Sequence, residues 1–339
     1  MLTFGYKASA EQFGPAQLLG FAQLAEQVGF DSVFLSDHFQ PWKHTGGHSP
    51  HAIAWLGALG ATTRRIIIGT SVLTPTFRYH PAIIAQAFAT LGVMFPGRVI
   101  LGVGTGEALN EVPATALDWP EAKERFARLR EAVTLIRLLW QEQRVSFAGT
   151  WYRTSNATLY DRPDHSVPLY IAGAGPLIAK YAGRVADGFI CTSGKPAELY
   201  TTTLLPNLAA GEQTGGREPG QVTRMIEMKV SFDPDLARAR ADTRHWAVLS
   251  LAAEEKLAVE DPRELERLAA ALPEARAASR WIVSADADAH VARLRPYLDM
   301  GFRHLVFHAP GEDQERFLRL YADQVLPKLR ALDAGGIYR

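Results

Sequence analysis

Short apolar runs recur along the chain, and a stretch with a helical repeat follows each of them. Between the runs, apolar side chains return every three or four residues, as Phe126, Leu129, Val133 and Ile136 do, which is typical of an amphipathic helix. Near-continuous apolar strands suit a parallel sheet that helices cover on both faces. The eight predicted strands cover residues 2–7, 32–35, 66–72, 99–103, 169–172, 189–191, 225–231 and 305–307.

Eight strands that alternate with helices predict an α/β fold, a (β/α)8 TIM barrel. A doubly wound open sheet is the alternative. Residues 144–160 read as short strands around Gly149, and residues 245–285 as a long, charged, helix-rich segment. We interpret both as insertions over the C-terminal face of the barrel. The chain is therefore expected to form one domain over residues 1–332, followed by a flexible tail at 333–339.

Composition and charge exclude several classes of protein. The 339 residues are 47% hydrophobic and carry 36 basic and 36 acidic side chains, which disfavours a disordered chain and a partner such as nucleic acid or an anionic membrane. No apolar run approaches the roughly 20 residues that span a bilayer. The one cysteine, Cys191, lies in an apolar run, so we interpret it as inert core. No signal peptide is recognised, and a cytoplasmic location is expected.

The chemistry is expected where the strands end, because the carboxyl ends of barrel strands form the active-site face. Small, hydroxylic and ionisable residues follow six of the eight strands. These segments are Lys7 to Glu11, Ser36 to Trp42, Thr70 to Thr74, Gly104 to Asn110, Gly173 to Pro176 and Thr192 to Lys195. Together they predict a large site for a polar ligand.

Two of these strand ends offer proton chemistry. Asp37 and His38 form a titratable pair, since histidine exchanges protons near neutral pH; the alternative is a structural histidine bonded to a carboxylate. Glu107 follows the glycine-rich run 102–106, where bare backbone lets a planar ligand approach; the alternative is a glutamate that complements a helix dipole. Because Glu107 replaces the third glycine, this run is not a dinucleotide fingerprint.

Other features favour an anionic ligand but leave its identity open. The loop 173–176 places backbone N–H groups at a helix start, which suits phosphate or a plain tight turn. Lys195, Lys256 and Arg280 are either surface charges or a phosphate clamp, and their spacing does not show that they meet.

Three histidines, His44, His48 and His51, share one loop without a nearby cysteine or acidic partner. Catalytic zinc needs three ligands that converge in fixed geometry. No metal is therefore predicted.

The strand ends resemble the F-420-dependent glucose-6-phosphate dehydrogenase family, within the luciferase-like flavin and deazaflavin barrel superfamily. The resemblance extends from about residue 4 to about residue 330, and its motifs lie at 5–13, 36–42, 69–79, 102–111, 188–195 and 305–311. It implies coenzyme F-420, a deazaflavin, as the cofactor and a homodimer as the assembly. His51 stands where the family pattern has an aromatic residue, which leaves the hexose preference open.

The resemblance also implies roles for single residues. Coenzyme-binding positions are Asp37, Ser71, Val72, Thr74, Thr105, Gly106, Asn110, Ala174, Gly175, Leu177 and Ile178, with a non-proline cis peptide between Ser71 and Val72. Substrate-binding positions are Thr192, Lys195, Lys256, Arg280, Trp42 and Glu11.

His38 and Glu107 match the catalytic acid–base pair of the family. The implied reaction moves a hydride from the anomeric carbon of glucose 6-phosphate to coenzyme F-420, giving 6-phosphogluconolactone and reduced coenzyme. We favour Glu107 as the proton acceptor and His38 as the donor, and the reverse assignment stays open. The alternatives are a sugar-6-phosphate dehydrogenase of broader hexose range, an FMN-dependent luciferase-like monooxygenase, a sugar-phosphate isomerase, and a non-catalytic deazaflavin carrier.

Overall fold

Parallel strands close into a barrel in the computed structural model, which describes residues 2–256 and 259–334. In chain order the strands are β1 (Thr3–Ala8), β2 (Ser32–Leu35), β3 (Ile67–Thr70), β4 (Val99–Val103), β5 (Val145–Ala148), β6 (Arg153–Ala157), β7 (Leu169–Ala172), β8 (Gly188–Thr192), β9 (Thr223–Phe232), β10 (Ile282–Ser284) and β11 (His304–His308). Within this described part, the barrel order is β1-β2-β3-β4-β7-β8-β9-β11, and β11 pairs with β1. The predicted TIM barrel is confirmed, and the open-sheet alternative is excluded.

Helices follow the barrel strands and pack around them. They are α1 (Pro15–Gln27), α2 (Ala52–Thr62), α3 (Pro81–Met94), α4 (Ala108–Thr115), α5 (Ala122–Gln141), α6 (Pro176–Val185), α7 (Leu205–Thr214), α8 (Leu236–Asp242), α9 (Ala253–Lys256), α10 (Pro262–Ala270), α11 (Glu274–Ala278), α12 (Ala287–Asp299), α13 (Gln314–Leu320) and α14 (Leu326–Ala334). A 3-10 segment covers Thr243–Ser250, and π-helical turns at Leu199–Leu204 and Tyr321–Val325 precede α7 and α14. In the ranges described above, no helix is both long and apolar enough to cross a membrane.

The two segments that depart from the repeat form local structures. Strands β5 and β6 make an antiparallel hairpin, and the Tyr152 hydroxyl in its turn donates to the Thr76 carbonyl oxygen at 2.7 Å. Residues 245–285 hold the rest of the 3-10 segment, the helices α9 to α11, and β10, which extends the sheet beside β9. Helix α14 runs through Ala334, and its Asp333 carboxylate accepts the Leu2 backbone N–H at 3.0 Å. The rest of the predicted tail, 335–339, lies outside the described residues.

The barrel interior changes from apolar to charged along its axis. Its lower layer is filled by Phe34, Ile100, Tyr170, Ile190, Met225 and Val306. On β9, Ile226, Met228 and Val230 belong to the core between strands and helices, so the alternation of a strand turns Glu227 and Lys229 inward. This charged layer forms the boundary between the packed barrel and the open end above it.

Helices α6 and α7 cross closely at two glycines. A methyl group at Gly183 would overlap the Leu208 carbonyl oxygen, and one at Gly211 would overlap the Lys180 carbonyl oxygen. These contacts are to backbone, which cannot move aside as a side chain end can. The crossing therefore requires glycine at both positions.

We expect Gly183→Ala to lower the free energy of unfolding by about 1–3 kcal/mol, the usual cost of overpacking. Gly20→Ala is the matched control, because Gly20 is exposed on α1 and nothing would lie within 4 Å of its new methyl group. The control should be neutral or stabilising by up to about 1 kcal/mol. Denaturant unfolding of the two variants measures the difference, and equal stabilities would contradict the close crossing.

Candidate active site

A cavity of about 400 Å³ opens at the carboxyl ends of the barrel strands. It brings together most of the residues singled out from the sequence, namely Glu11, Asp37, His38, Trp42, Ser71, Val72, Thr74, Thr105, Gly106, Glu107, Asn110, Ala174, Thr192, Lys195, Lys256 and Arg280. Gly175, Leu177 and Ile178 lie at the start of α6, outside its described lining. Segments from one end of the chain to the other thus share one site.

His38 lies between two carboxylates. Its Nε2 atom is 3.5 Å from Glu11 Oε1 and 3.7 Å from Glu107 Oε2. Its Nδ1 atom lies 3.3 Å from the Gln40 carbonyl oxygen, which only accepts, so Nδ1 carries a proton in this contact. The nitrogen that faces the two carboxylates is Nε2. Trp42 packs beside the imidazole, with the two ring centres 5.6 Å apart.

Glu107 is the residue that precedes α4, yet its side chain makes no capping hydrogen bond with that helix. This separates it from a glutamate that merely completes a helix start. Burial raises the pKa of the Glu107 carboxyl, and the charges of His38 and Lys256 act in the opposite direction. The side chain keeps 41% of its surface accessible because it lines the cavity, whose walls still remove it from bulk water. A raised pKa makes this carboxylate a stronger base than an ordinary glutamate.

Asn110 connects Glu107 to the loop that carries His38. Its Oδ1 atom accepts the backbone N–H groups of Phe39 at 2.9 Å and Gln40 at 3.2 Å. Its Nδ2 atom donates to Glu107 Oε2 at 3.4 Å. The buried amide of Asn110 therefore fixes the loop after β2 relative to the Glu107 carboxylate, which follows β4.

Arg78, which the sequence analysis did not select, anchors the same loop from behind. Its guanidinium donates to the Asp37 carboxylate and to the Glu111 carboxylate, each at 3.2 Å, and to the Asp37 carbonyl oxygen at 2.7 Å. All three side chains are buried. Asp37 Oδ1 also accepts the Ala52 N–H at 3.3 Å. Much of the Asp37 carboxylate is thus bound to the protein, and its role toward the coenzyme stays a prediction.

The cations that are remote in sequence meet on one side of the cavity. Arg280 donates to the carbonyl oxygens of Ser193 at 3.0 Å and Leu249 at 3.1 Å. Burial and then the charge of Arg280 lower the pKa of Lys256 to about 8. Burial and Arg280 also lower the pKa of Lys195. Arg280 and Lys195 are both among the charges that lower the pKa of Lys256, so the three cations lie close enough to interact, as in an anion site.

A buried ionic cluster that sequence reasoning missed forms the cavity floor. Glu227 lies 2.7 Å from Lys229 Nζ, 3.3 Å from Lys7 Nζ and 3.5 Å from His308 Nδ1. The pKa of Glu227 is well below its ordinary value because the two lysines outweigh the opposing effect of burial. A signal was present, since Glu227 and Lys229 are two residues apart inside an apolar strand and so share one face.

The floor also contacts the wall expected for the coenzyme. The Ser71–Val72 peptide bond is cis, as the resemblance implied. Lys7 Nζ donates to the Ser71 carbonyl oxygen at 2.7 Å, to Ser71 Oγ at 2.9 Å and to Ser36 Oγ at 2.8 Å. Lys7 therefore ties the first three strand ends together.

Of the remaining residues noted from the sequence, His51 lies away from this chemistry, whereas Cys191 is part of the cavity lining. His51 caps α2, with Nδ1 accepting the Ala54 N–H at 3.4 Å, and its Nε2 lies 3.2 Å from the Tyr79 hydroxyl. His51 is not in the described lining of the cavity. Cys191 is buried, and burial raises the pKa of its thiol. Over residues 2–256 and 259–334, no three His, Cys, Asp or Glu side chains are grouped to hold a metal ion.

The fold is a TIM barrel, and its carboxyl end holds a glycine-flanked cavity, a histidine between two carboxylates and converging cations, which are groups that can transfer protons and bind anions. The profile of the luciferase-like monooxygenase family matches residues 2–304. The chain belongs to that family.

Curated relatives match almost the whole chain. A protein of Nakamurella multipartita is 62% identical over 335 residues, covering 99% of this chain and 98% of its own length. A protein of Microbacterium testaceum is 62% identical over 329 residues, covering 97% and 98%. Both are named F-420-dependent glucose-6-phosphate dehydrogenase.

Solved structures share the fold. An F-420-dependent secondary alcohol dehydrogenase in complex with an F-420–acetone adduct superimposes with a TM-score of 0.90 at 34% identity, covering 96% of this chain and 98% of its own. The coenzyme F-420-dependent tetrahydromethanopterin reductase of Methanopyrus kandleri superimposes with a TM-score of 0.80 at 20% identity, covering 96% and 99%. At that lower identity the likeness concerns the fold alone.

We expect Arg78→Gln to lower the free energy of unfolding by about 3–5 kcal/mol, because it leaves two buried carboxylates without their cation. Arg319→Gln is the matched control, since Arg319 pairs with Glu315 on an exposed helix face and such pairs contribute little. Denaturant unfolding compares the two variants. If Arg78→Gln were as stable as the control, the anchor would have no energetic role.

Proposed function

We propose that this chain oxidises glucose 6-phosphate at its anomeric carbon, with coenzyme F-420 as the hydride acceptor, giving 6-phosphogluconolactone and reduced coenzyme. The observation that carries the proposal is the meeting of three cations, Lys195, Lys256 and Arg280, with the His38–Glu107 pair in one cavity. Relatives that are 62% identical over nearly the full length carry the corresponding name. A coenzyme carrier would have no use for an acid–base pair.

The residues present fit a planar coenzyme. At Gly104 an added methyl group would lie 2.9 Å from Val72 Cγ2, and at Gly106 it would lie 2.9 Å from Thr74 Cγ2. Both glycines therefore keep the strand end tight against the Val72 wall, where apolar Ala172 and Ile190 also line the cavity. When bound there, the deazaflavin supplies a two-electron hydride acceptor.

The residues that would hold the coenzyme are those predicted from the sequence. Ser71, Val72, Thr74, Thr105, Gly106, Asn110 and Ala174 line the cavity, Asp37 supports its wall, and Gly175, Leu177 and Ile178 begin α6.

The protein's own contribution is proton handling at two groups. The anomeric hydroxyl must lose a proton as its carbon loses a hydride, and Glu107 is assigned as the acceptor because its raised pKa makes it a stronger base. His38 Nε2, which lies between Glu11 and Glu107, is assigned as the donor of the proton that the coenzyme ring would gain with the hydride.

The cations contribute binding energy away from the reacting carbon. Lys195, Lys256 and Arg280, with Thr192, are assigned to the phosphate group, where Arg forks and lysine charges match anionic oxygens. Binding energy gained at the remote phosphate orients the sugar and lowers the entropic part of the barrier. A homodimer, a cytoplasmic location and the lack of a nucleic-acid partner stay predictions.

The direct test mixes the purified protein with oxidised F-420 and glucose 6-phosphate. We expect sugar-dependent loss of the absorbance of the oxidised coenzyme, and no such change with NADP or FMN in its place. Glu107→Gln should reduce turnover by about 10²–10⁴-fold, the usual contribution of a proton-transfer group, while the exposed control Glu121→Gln keeps full turnover. Absence of bleaching by the wild type contradicts the proposal, and fructose and mannose 6-phosphates define the hexose range.

The cation cluster predicts a pH dependence. With a pKa of about 8, Lys256 is charged below that pH and loses its charge as the pH rises through it. The ratio kcat/KM for glucose 6-phosphate, which reports the free enzyme, should therefore fall above about pH 8. Lys256→Arg keeps its charge and should lack this alkaline limb, with the coenzyme KM as internal control. An identical limb in both proteins would assign the titration to another group.

A further inference from the structure

The proposed function leaves Lys229 without a role, although its side chain lines the cavity. In the strand register, Glu227 lies opposite Thr192 and Lys229 lies opposite His308. Lys229 is the next inward-facing residue of β9 after Glu227, so it lies nearer to the open end of the barrel than Thr192 does. Its backbone N–H donates to Ser193 Oγ at 2.8 Å, and the Ser193 carbonyl oxygen accepts from Arg280. Lys229 therefore lies on the same side of the barrel as the converging cations.

The two floor lysines differ in how their ammonium groups are used. An ammonium group has three N–H donors. Lys7 Nζ donates to three oxygens of Ser36 and Ser71 and lies 3.3 Å from Glu227, so its donors are fully engaged. Lys229 Nζ donates to Glu227 Oε1 at 2.7 Å, and its other polar neighbour is His308 Nδ1 at 3.5 Å. Lys229 therefore keeps donor capacity that Lys7 does not.

The net charge of the floor cluster also favours a ligand-binding role for Lys229. One carboxylate, Glu227, faces two lysines, and burial keeps the imidazole of His308 neutral, with its pKa lowered to about 4. One positive charge is therefore uncompensated within the floor. The charge of Lys229 is among the influences that lower the pKa of Lys195. The excess charge of the floor therefore acts on the wall that carries Lys195, Lys256 and Arg280. A buried excess charge is costly unless a ligand of opposite sign meets it.

We propose that Lys229 is a substrate-binding residue, a fourth cation that donates to the phosphate oxygens of the sugar phosphate from the cavity floor. This inference rests on the proposed function. Glu227 orients the ammonium group, and the Trp281 ring, whose centre is 5.8 Å from Nζ, limits the directions it can take. The competing explanation is that Lys229 only neutralises Glu227.

Two variants separate these explanations. Lys229→Gln removes the cation, and the Glu227→Gln, Lys229→Gln double variant also removes the carboxylate that the cation neutralises. We expect both to raise the KM for glucose 6-phosphate and the inhibition constant of inorganic phosphate about tenfold or more, since a charge-assisted hydrogen bond is lost. The dissociation constant of the coenzyme for Lys229→Gln, measured by fluorescence, should stay within about twofold, as for the exposed control Lys180→Gln.

Several outcomes would overturn the inference. They are an unchanged KM and phosphate inhibition constant, a parallel loss of coenzyme affinity in Lys229→Gln, and recovery of wild-type values in the double variant. Lys229→Gln leaves Glu227 paired with Lys7, so the single variant keeps a balanced ion pair in the floor, and the double variant tests whether its effect depends on the carboxylate. Calorimetric titration with inorganic phosphate tests Lys229 without turnover, whereas failure of the wild type to reduce the coenzyme with glucose 6-phosphate overturns the proposed function instead.

Discussion

The site depends on one buried carboxylate, Glu227, which holds two lysines inside the barrel. Burying any of these charges alone costs several kcal/mol, and removal of one partner leaves the others uncompensated. Through Lys7 the cluster fixes the Ser71 carbonyl and the wall expected for the coenzyme. Through Lys229 it extends to the cations at the opposite wall. The two halves of the cavity are thus built on the same ion pair, placed where the apolar interior of the barrel ends.

The barrel was predictable from the sequence because its strands are buried on both faces and so read as continuous apolar runs. Strand β10 was not predicted, since its three residues, Ile282–Ser284, are too few to form a pattern. Arg78 was missed for another reason. It lies in a loop after a strand, where an ordinary surface cation is equally common. Its structural role is evident only from the fold, which brings the carboxylates of Asp37 and Glu111 to it.

Proximity between distant segments is the part that spacing does not determine. His38 and Glu107 were each identified as candidates alone, but their 3.7 Å contact and the shared Glu11 arise because the ends of β1, β2 and β4 meet at one end of the barrel. The meeting of the three clamp cations was implied by family resemblance rather than derived from the residues. Glu227 and Lys229 were missed for a different reason. They alternate with apolar residues in β9, and the run was interpreted by its apolar residues alone, without the two charges between them.

The segment 245–285 supports this geometry through apolar packing. It forms a second apolar cluster, separate from the main core, in which Val248 and Leu265 pack with Leu109 of α4, and Trp42 packs against its edge. Helix α4 begins directly after Glu107, and the same segment carries Lys256 and Arg280. Apolar packing therefore fixes the start of α4, and with it Glu107, against the segment that carries the two cations. The charges of Lys256 and Glu107 act on each other within that frame. Because charge attraction has no preferred direction, the packed side chains rather than the charges define how the two segments lie relative to each other.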